Sequence, residues 1–295
     1  MAAVQGVLTK LCIDTNTALN TINTRFDFMR STMARRGSLL NGNGLRGTRE
    51  EDISRIRSNL YRVGGSISFE PNAAELALLL PWILGGTPVG TAYPLDDALT
   101  TRAIAALVGV RTLLWLGCGV DRATFRASQG EPLSLDLDIV GQTESIGTNT
   151  NAYPAATIDT ATGPFIFTDL VFVLSSTTYQ AKDFELTIDN SLDKERFFNS
   201  PTLVSVVPTQ RSISLRATMP YGDAVALYNA GEAGVAVTAT FTNGACSILF
   251  TMSAVAFPTL GPSIPGRSEL MISIEGNAYH SSSTNSLVVT LDSTP

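Results

Sequence analysis

Residues 183–189 read DFELTID, with Phe184, Leu186 and Ile188 on one side of an alternation and Asp183, Glu185 and Asp189 on the other. Successive side chains of a strand point to opposite faces, so this period of two specifies a β-strand with one dry face and one wet, acidic face. LSLDLDIV (133–140) repeats the pattern, with Leu133, Leu135, Leu137 and Ile139 opposite Asp136 and Asp138. The same period marks SISF (66–69), TLLWLGC (112–118), FIFTDLVFVL (165–174), SISLRATM (212–219) and VAVTATF (235–241). It returns in CSILFTMSAVAF (246–257), LMISIE (270–275) and SLVVTL (286–291). Each of these is expected to be a strand. The fold class expected is therefore mainly β with short helices.

Two helices are expected to interrupt the strands. One follows Pro71, with Asn72 and Glu75 as a cap pair and Leu76, Leu78 and Leu79 as its apolar content. The other follows Pro220, with Asp223 at its N-cap and Gly231 just past its end. A third short helix is expected in TREEDISRIRSNLY (48–61), where Thr48 and Glu51 make a capping box. The first two helices mark an internal repeat. SISF, a proline and AELALL resemble SISL, a proline and DAVALY, and each set ends in a strand with a trailing glycine, Gly141 or Gly276. This divides the chain into residues 1–62, an N-terminal strand and arginine-rich arm, and two similar β modules, 63–160 and 161–295.

Only 16% of the 295 residues are charged, against about 25% in ordinary proteins, and 44% are apolar. That composition excludes a charged disordered tail, and the net charge of −6 argues against a general nucleic-acid coat. The charge is uneven. Residues 25–62 hold nine arginines and four acids, a local +5, which leaves −11 for the rest of the chain. The arm lacks the interleaved aromatics of single-strand binders, having only Phe26, Phe28 and Tyr61. It is expected to dock on an acidic neighbour, a second copy of the chain, rather than on DNA.

Catalytic chemistry finds little support. The single histidine, His280, lies in the polar stretch NAYHSSST and reads as a surface residue; there is no GxSxG elbow. One histidine excludes multi-histidine metal sites. Gly42, Gly44 and Gly47 match GxGxxG, but TMARRGSLL before them is no buried strand and no βαβ units follow, so a flexible loop is expected. The carboxylates sit at even spacing on one side of their strands, not facing one another across a cleft as glycosidases require. They form either an ordinary solvated face or a functional acidic wall. No cofactor, metal or catalytic residue is expected. Cys12, Cys118 and Cys246 are odd in number and widely spaced, as free thiols of a reducing compartment are. The opening MAAVQGVLTKLCIDTNTALN lacks an apolar signal region, and LALLLPWILGG (76–86) is too short to span a bilayer and is broken by Pro81.

VGGSISFEPNAAELALLLPWILGG (63–86), YPLDDAL (93–99) and DFELTIDNSLDKERFFNSPTLVSVVPTQRSISL (183–215), with its TIDN turn and Arg211, resemble the tail tube (major tail) proteins of long, non-contractile-tailed bacteriophages. The module order, an arm and then two β-rich halves, carries the same likeness. The resemblance implies a structural, non-enzymatic virion protein with a β-sandwich or barrel-like fold, assembled in the host cytoplasm, whose sheets join across subunits into rings that stack into a conduit for the genome. It implies as partners a tape-measure protein, tail terminator and distal tail proteins, and double-stranded DNA that passes without specific binding. Single-module members form hexameric rings; a duplicated subunit would satisfy the same geometry as a trimer with pseudo-sixfold symmetry. Duplex DNA carries one negative charge per about 1.7 Å of axis, so acidic groups within a Debye length of about 8 Å repel it. Asp183, Glu185 and Asp189, or Asp136 and Asp138, are then the candidate lumen residues, and Arg35, Arg36, Arg46 and Arg49 the candidate inter-ring arm. Two other readings stay open: another self-assembling viral structural protein, such as a capsid or tail accessory β-sandwich, and a carbohydrate-binding β-sandwich with Trp82 and Trp115 as sugar platforms.

Overall fold

The alternation becomes a network of antiparallel strands. The computed structural model describes residues 6, 9–14, 24–41, 50, 53–147, 162–221, 231–258, 269–281 and 285–294. Through residue 147 these form β1 (Lys10–Ile13), β2 (Arg25–Phe26), β3 (Arg30–Ser31), β4 (Ala34–Leu40), β5 (Arg57–Phe69), helix α1 (Ala73–Leu84), β6 (Ala92–Pro94), β7 (Arg102–Val108), β8 (Arg111–Ser128), β9 (Ser134–Gly141) and β10 (Thr143–Gly147). Beyond it come β11 (Leu170–Leu174), β12 (Thr177–Tyr179), β13 (Asp183–Asp189), β14 (Ser212–Pro220), β15 (Val235–Asn243), β16 (Cys246–Ala256), β17 (Met271–Ala278) and β18 (Val288–Asp292). The fold is mainly β, as the alternation requires.

Two ladders run in the same order. In the first, the sequence of neighbours is β2-β1-β7-β8-β9-β5-β4, with β10 also on β8. In the second it is β12-β11-β15-β16-β17-β14-β13, with β18 also on β16. They join where β13 pairs with β8, from Asp183↔Ser128 to Asp189↔Arg122, and where β18 pairs with β6. The joint makes β5-β9-β8-β13-β14-β17 one six-stranded sheet. Its dry face packs on the other strands: the Phe125 and Phe250 rings lie 5.0 Å apart and those of Phe184 and Phe241 5.8 Å apart. Each such ring contributes about 1.5–3 kcal/mol by burial, and each pair about 0.5–1.5 kcal/mol more.

Helix α1 starts as its cap pair dictates. Asn72 Oδ1 accepts from Glu75 N at 2.9 Å, and Glu75 Oε2 accepts from Asn72 N at 3.2 Å. Burial raises the Glu75 pKa, although its bonds from Asn72 and Asp27 oppose the shift. Pro81 sits within the helix and Gly85 closes it at φ 84°, a left-handed value that favours glycine.

Three expectations are corrected. FIFTDLVFVL is a strand only from Leu170: the Asp169 carboxylate accepts from Ile166 N at 2.9 Å and holds Phe167–Asp169 in a 3-10 turn. TREEDISRIRSNLY gives, among its described residues, a 3-10 turn at Ile53–Arg55 and then strand β5. Ile53, Ile56 and Leu60 have helical spacing but stay exposed, so no core rewards a helix, whereas the backbone of Arg57–Arg62 finds partners in β4. The described residues of the arm, Ala34–Leu40 and the first half of β5, accordingly pair as a β-ribbon. The strand read as TLLWLGC continues ten residues past Cys118. The GxGxxG glycines, the Thr48–Glu51 cap and the Asp223 helix lie outside the described residues.

Candidate functional site: a polar sheet face and a basic ribbon

The strand parity of the six-stranded sheet puts both acidic sets on a single wet face. Asp136 and Asp138 of β9 stand across from Thr124 and Arg122 of β8, and β8 in turn faces Glu185 and Asp189 of β13. The choice between the two sets posed by the sequence thus dissolves. Sequence reading missed three arginines on the same face. Arg122 donates to Asp189 Oδ2 from Nε at 3.1 Å and from Nη2 at 2.8 Å. Arg126 Nε reaches Glu185 Oε2 at 3.1 Å and its Nη1 reaches Asp136 Oδ2 at 3.5 Å, so it bridges the two acidic sets. Arg216 of β14 is registered between Glu185 and Glu275 of β17. On β8, β9, β13, β14 and β17 six carboxylates (Asp136, Asp138, Asp183, Glu185, Asp189, Glu275) meet three arginines, an excess of three negative charges. Arg62 of β5, which shares the parity of Ser66 and Ser68, pairs with Glu195.

Asp189 does structural work as well. Its Oδ1 accepts from Ser191 N at 2.8 Å and from Ser191 Oγ at 3.0 Å. Partial burial pushes its pKa up, but the Arg122 and Ser191 bonds outweigh that and hold it below the ordinary aspartate value. Arg122 is correspondingly raised, first by its hydrogen bond to Asp189.

Beside this joint, Asn190 is buried to 1% exposure. Its amide donates to Ile83 O of α1 at 3.0 Å and to Val120 O of β8 at 3.1 Å, and its Oδ1 accepts from Arg211 Nε at 2.9 Å. Arg211 Nη2 also reaches Asp96 O at 2.5 Å. The stretches 63–86, 93–99 and 183–215, far apart in sequence, converge on this one hub. Next to it Asp121 accepts from Lys194 Nζ at 2.6 Å and from Leu192 N at 2.8 Å. A cleft of about 540 Å³ opens between hub and ribbon, lined by Arg36, Arg62, Arg122, Lys194, Asp121 and Asp138 among others.

The ribbon of β4 and the first half of β5 stands clear of the core. Arg35 stacks on Tyr61, its Cζ 3.8 Å from the ring centre, and its N donates to Glu144 Oε2 at 3.1 Å. Arg36 is exposed, and Arg62 pairs with Glu195. Arg46 and Arg49 lie outside the described residues. Leu39 is 70% exposed and Ile53 83%, with Leu40 and Leu60 also open to solvent. Large apolar side chains and arginines thus stand exposed side by side on the ribbon.

Other candidates dissolve. Trp82 and Trp115 are buried, their indoles donating to Cys118 O at 3.0 Å and Glu144 Oε2 at 2.7 Å, so neither offers a sugar platform. His280 is exposed in the loop after β17. Among the described residues no group of three or more His, Cys, Asp or Glu is placed to hold a metal ion, and no helix is long and apolar enough to cross a membrane. The cysteines are buried free thiols, and burial pushes the Cys12 pKa up to about 12.

No curated protein matches the chain. A family model described as phage tail tube protein matches residues 3–278, nearly the whole chain and both ladders. Such proteins are structural components of the virion tail, and the chain belongs to the phage tail tube protein family.

Proposed function

We propose that this chain forms closed rings that stack into the genome conduit of a long phage tail, with the six-stranded polar face turned to the bore. The single observation that carries this reading is that face: one continuous sheet, built from both halves, with an excess of negative charge and a dry back. The two ladders of identical order support duplication, with β1–β10 and β11–β18 as equivalents, so that strands β1, β2 and β4 of residues 1–62 join the module of 63–160 opposite that of 161–295. Three copies then supply six modules, a trimer of pseudo-sixfold symmetry. Within the chain, β13 completes the joint on β8. Its counterpart β4 pairs only with β5 among the described residues, so beyond Arg35, whose N–H is held by Glu144 Oε2, its outer edge is available to make the equivalent joint with the next copy. Closure of that kind removes an edge that would otherwise aggregate.

The ribbon, with Arg35 and Arg36 on its strand and with Arg46 and Arg49 in the sequence that joins β4 to β5, bridges to the next ring. A tape-measure protein would occupy the bore during assembly in the host cytoplasm. Terminator and distal tail proteins would close the tube ends, and DNA would pass without specific binding. Negative-stain microscopy of concentrated protein tests this reading: rings and tubes are expected, and closed shells or a stable lone molecule would overturn it.

A further inference from the structure

We infer that the carboxylates of the polar face act chiefly to mask its arginines, and that Glu185 is the principal mask. Reading across the strands, one row runs Arg126, Glu185, Arg216, Glu275, and the next but one, past the row of Asp136, Thr124 and Thr187, runs Asp138, Arg122, Asp189. Charge sign alternates at each step. The arginines have a reason to be there: Arg122 and Arg126 belong to β8 and bond Asp189 and Glu185 of β13, across the joint between the two halves. A bare guanidinium, however, would hold a phosphate backbone through counterion release.

The alternation resolves that conflict. Strands lie about 4.8 Å apart, so like charges recur only every second strand, and the field of so fine an alternation fades within about 1.5 Å of the surface. The screening length is about 8 Å. A duplex nearby therefore senses the residual negative excess and not the individual cations. Glu185 is singular because it stands between Arg126 and Arg216 and masks both. Asp183, two residues away on the same face, stands between Ser128 and Thr218 and meets Arg126 and Arg216 only on the diagonal, across the cleft they share, so it covers them less than Glu185 does.

Two substitutions that remove the same single charge separate masking from net charge. Binding of a short fluorescent duplex to dilute full-length protein at low ionic strength is measured by anisotropy. Glu185→Gln is expected to tighten the dissociation constant about fivefold, the factor expected for about 1 kcal/mol of freed interaction at contact. Asp183→Asn is expected to change it less than about twofold, and adding Arg126→Gln to Glu185→Gln to reverse most of the gain. Equal effects of Glu185→Gln and Asp183→Asn, or no effect of either, would overturn the masking role. Circular dichroism checks folding; if Glu185→Gln is unfolded, Glu275→Gln, which uncovers Arg216 from its other side, takes its place with the same expectation.

The inference rests on the bore reading for its use in the virion, and virions carrying the same substitutions separate the two. Tighter DNA binding in solution with normal genome ejection would leave masking intact and refute the bore reading. Unchanged binding with impaired ejection would do the reverse.

Discussion

Replacing Asn190 with alanine tests whether the hub at the joint holds the two halves together. The substitution removes two donors, to Ile83 O at 3.0 Å and Val120 O at 3.1 Å, and one acceptor, for Arg211 Nε at 2.9 Å. Two of these bonds are fully buried. A buried partner left unsatisfied costs about 1–3 kcal/mol, and Arg211 retains a second acceptor in Asp96 O, so a total near 3 kcal/mol is expected. For a chain of this size about 1 kcal/mol corresponds to roughly 2–4 °C, which places the melting point about 6–12 °C lower. The assay is thermal unfolding of dispersed protein followed by circular dichroism. Asn243→Ala is the control: that amide also makes two bonds, to Gly163 O and Pro164 O, but in an exposed setting. Its loss should cost under about 1 kcal/mol. If Asn190→Ala melts within a degree of the native chain, the hub does not hold the joint.

Three further outcomes are expected. Deleting ribbon residues 38–56 should leave rings that fail to lengthen, seen by microscopy and sedimentation; long tubes from this variant would remove the ribbon from the inter-ring contact. Because the folded-state pKa of Asp189 lies below its unfolded value, the Arg122–Asp189 contribution is present above about pH 3.9 and is lost as pH falls through the lowered value. Asp189→Asn should flatten that acid limb of the stability curve, and an unaltered limb would contradict the assignment. Native protein should react with a thiol reagent only on unfolding, since Cys12, Cys118 and Cys246 are buried; prompt reaction would refute their burial.

Where one face of a strand is dry, the sequence spoke plainly. DFELTID has the same bounds as β13, and SISLRATM differs from β14 by one residue. RAIAALV escaped notice because β7 is buried on both faces for most of its length and carries no alternation. Arg122 and Arg126 are hidden from a local reading that ends the strand at the glycines following Trp115, whereas Arg216 lies in SISLRATM and joins the face only through its register with Glu185 and Glu275. Gly117, at φ 62°, bends the chain but does not end β8, which carries on through Arg122 and Arg126. That the two carboxylate sets share a face was beyond local reading: it depends on β8 lying between β9 and β13, a pairing of residues about sixty apart. The ribbon was opaque for a related reason, since its polar residues meet no core and only backbone pairing to β4 makes β5 a strand there.

The most direct measurement is a symmetric reconstruction of the assembled protein by electron cryo-microscopy. The account predicts rings of three chains with Asp136, Asp183, Glu185 and Glu275 facing the central channel and the ribbons reaching the adjoining ring. A channel lined by another surface, with these four carboxylates facing outward, would contradict it.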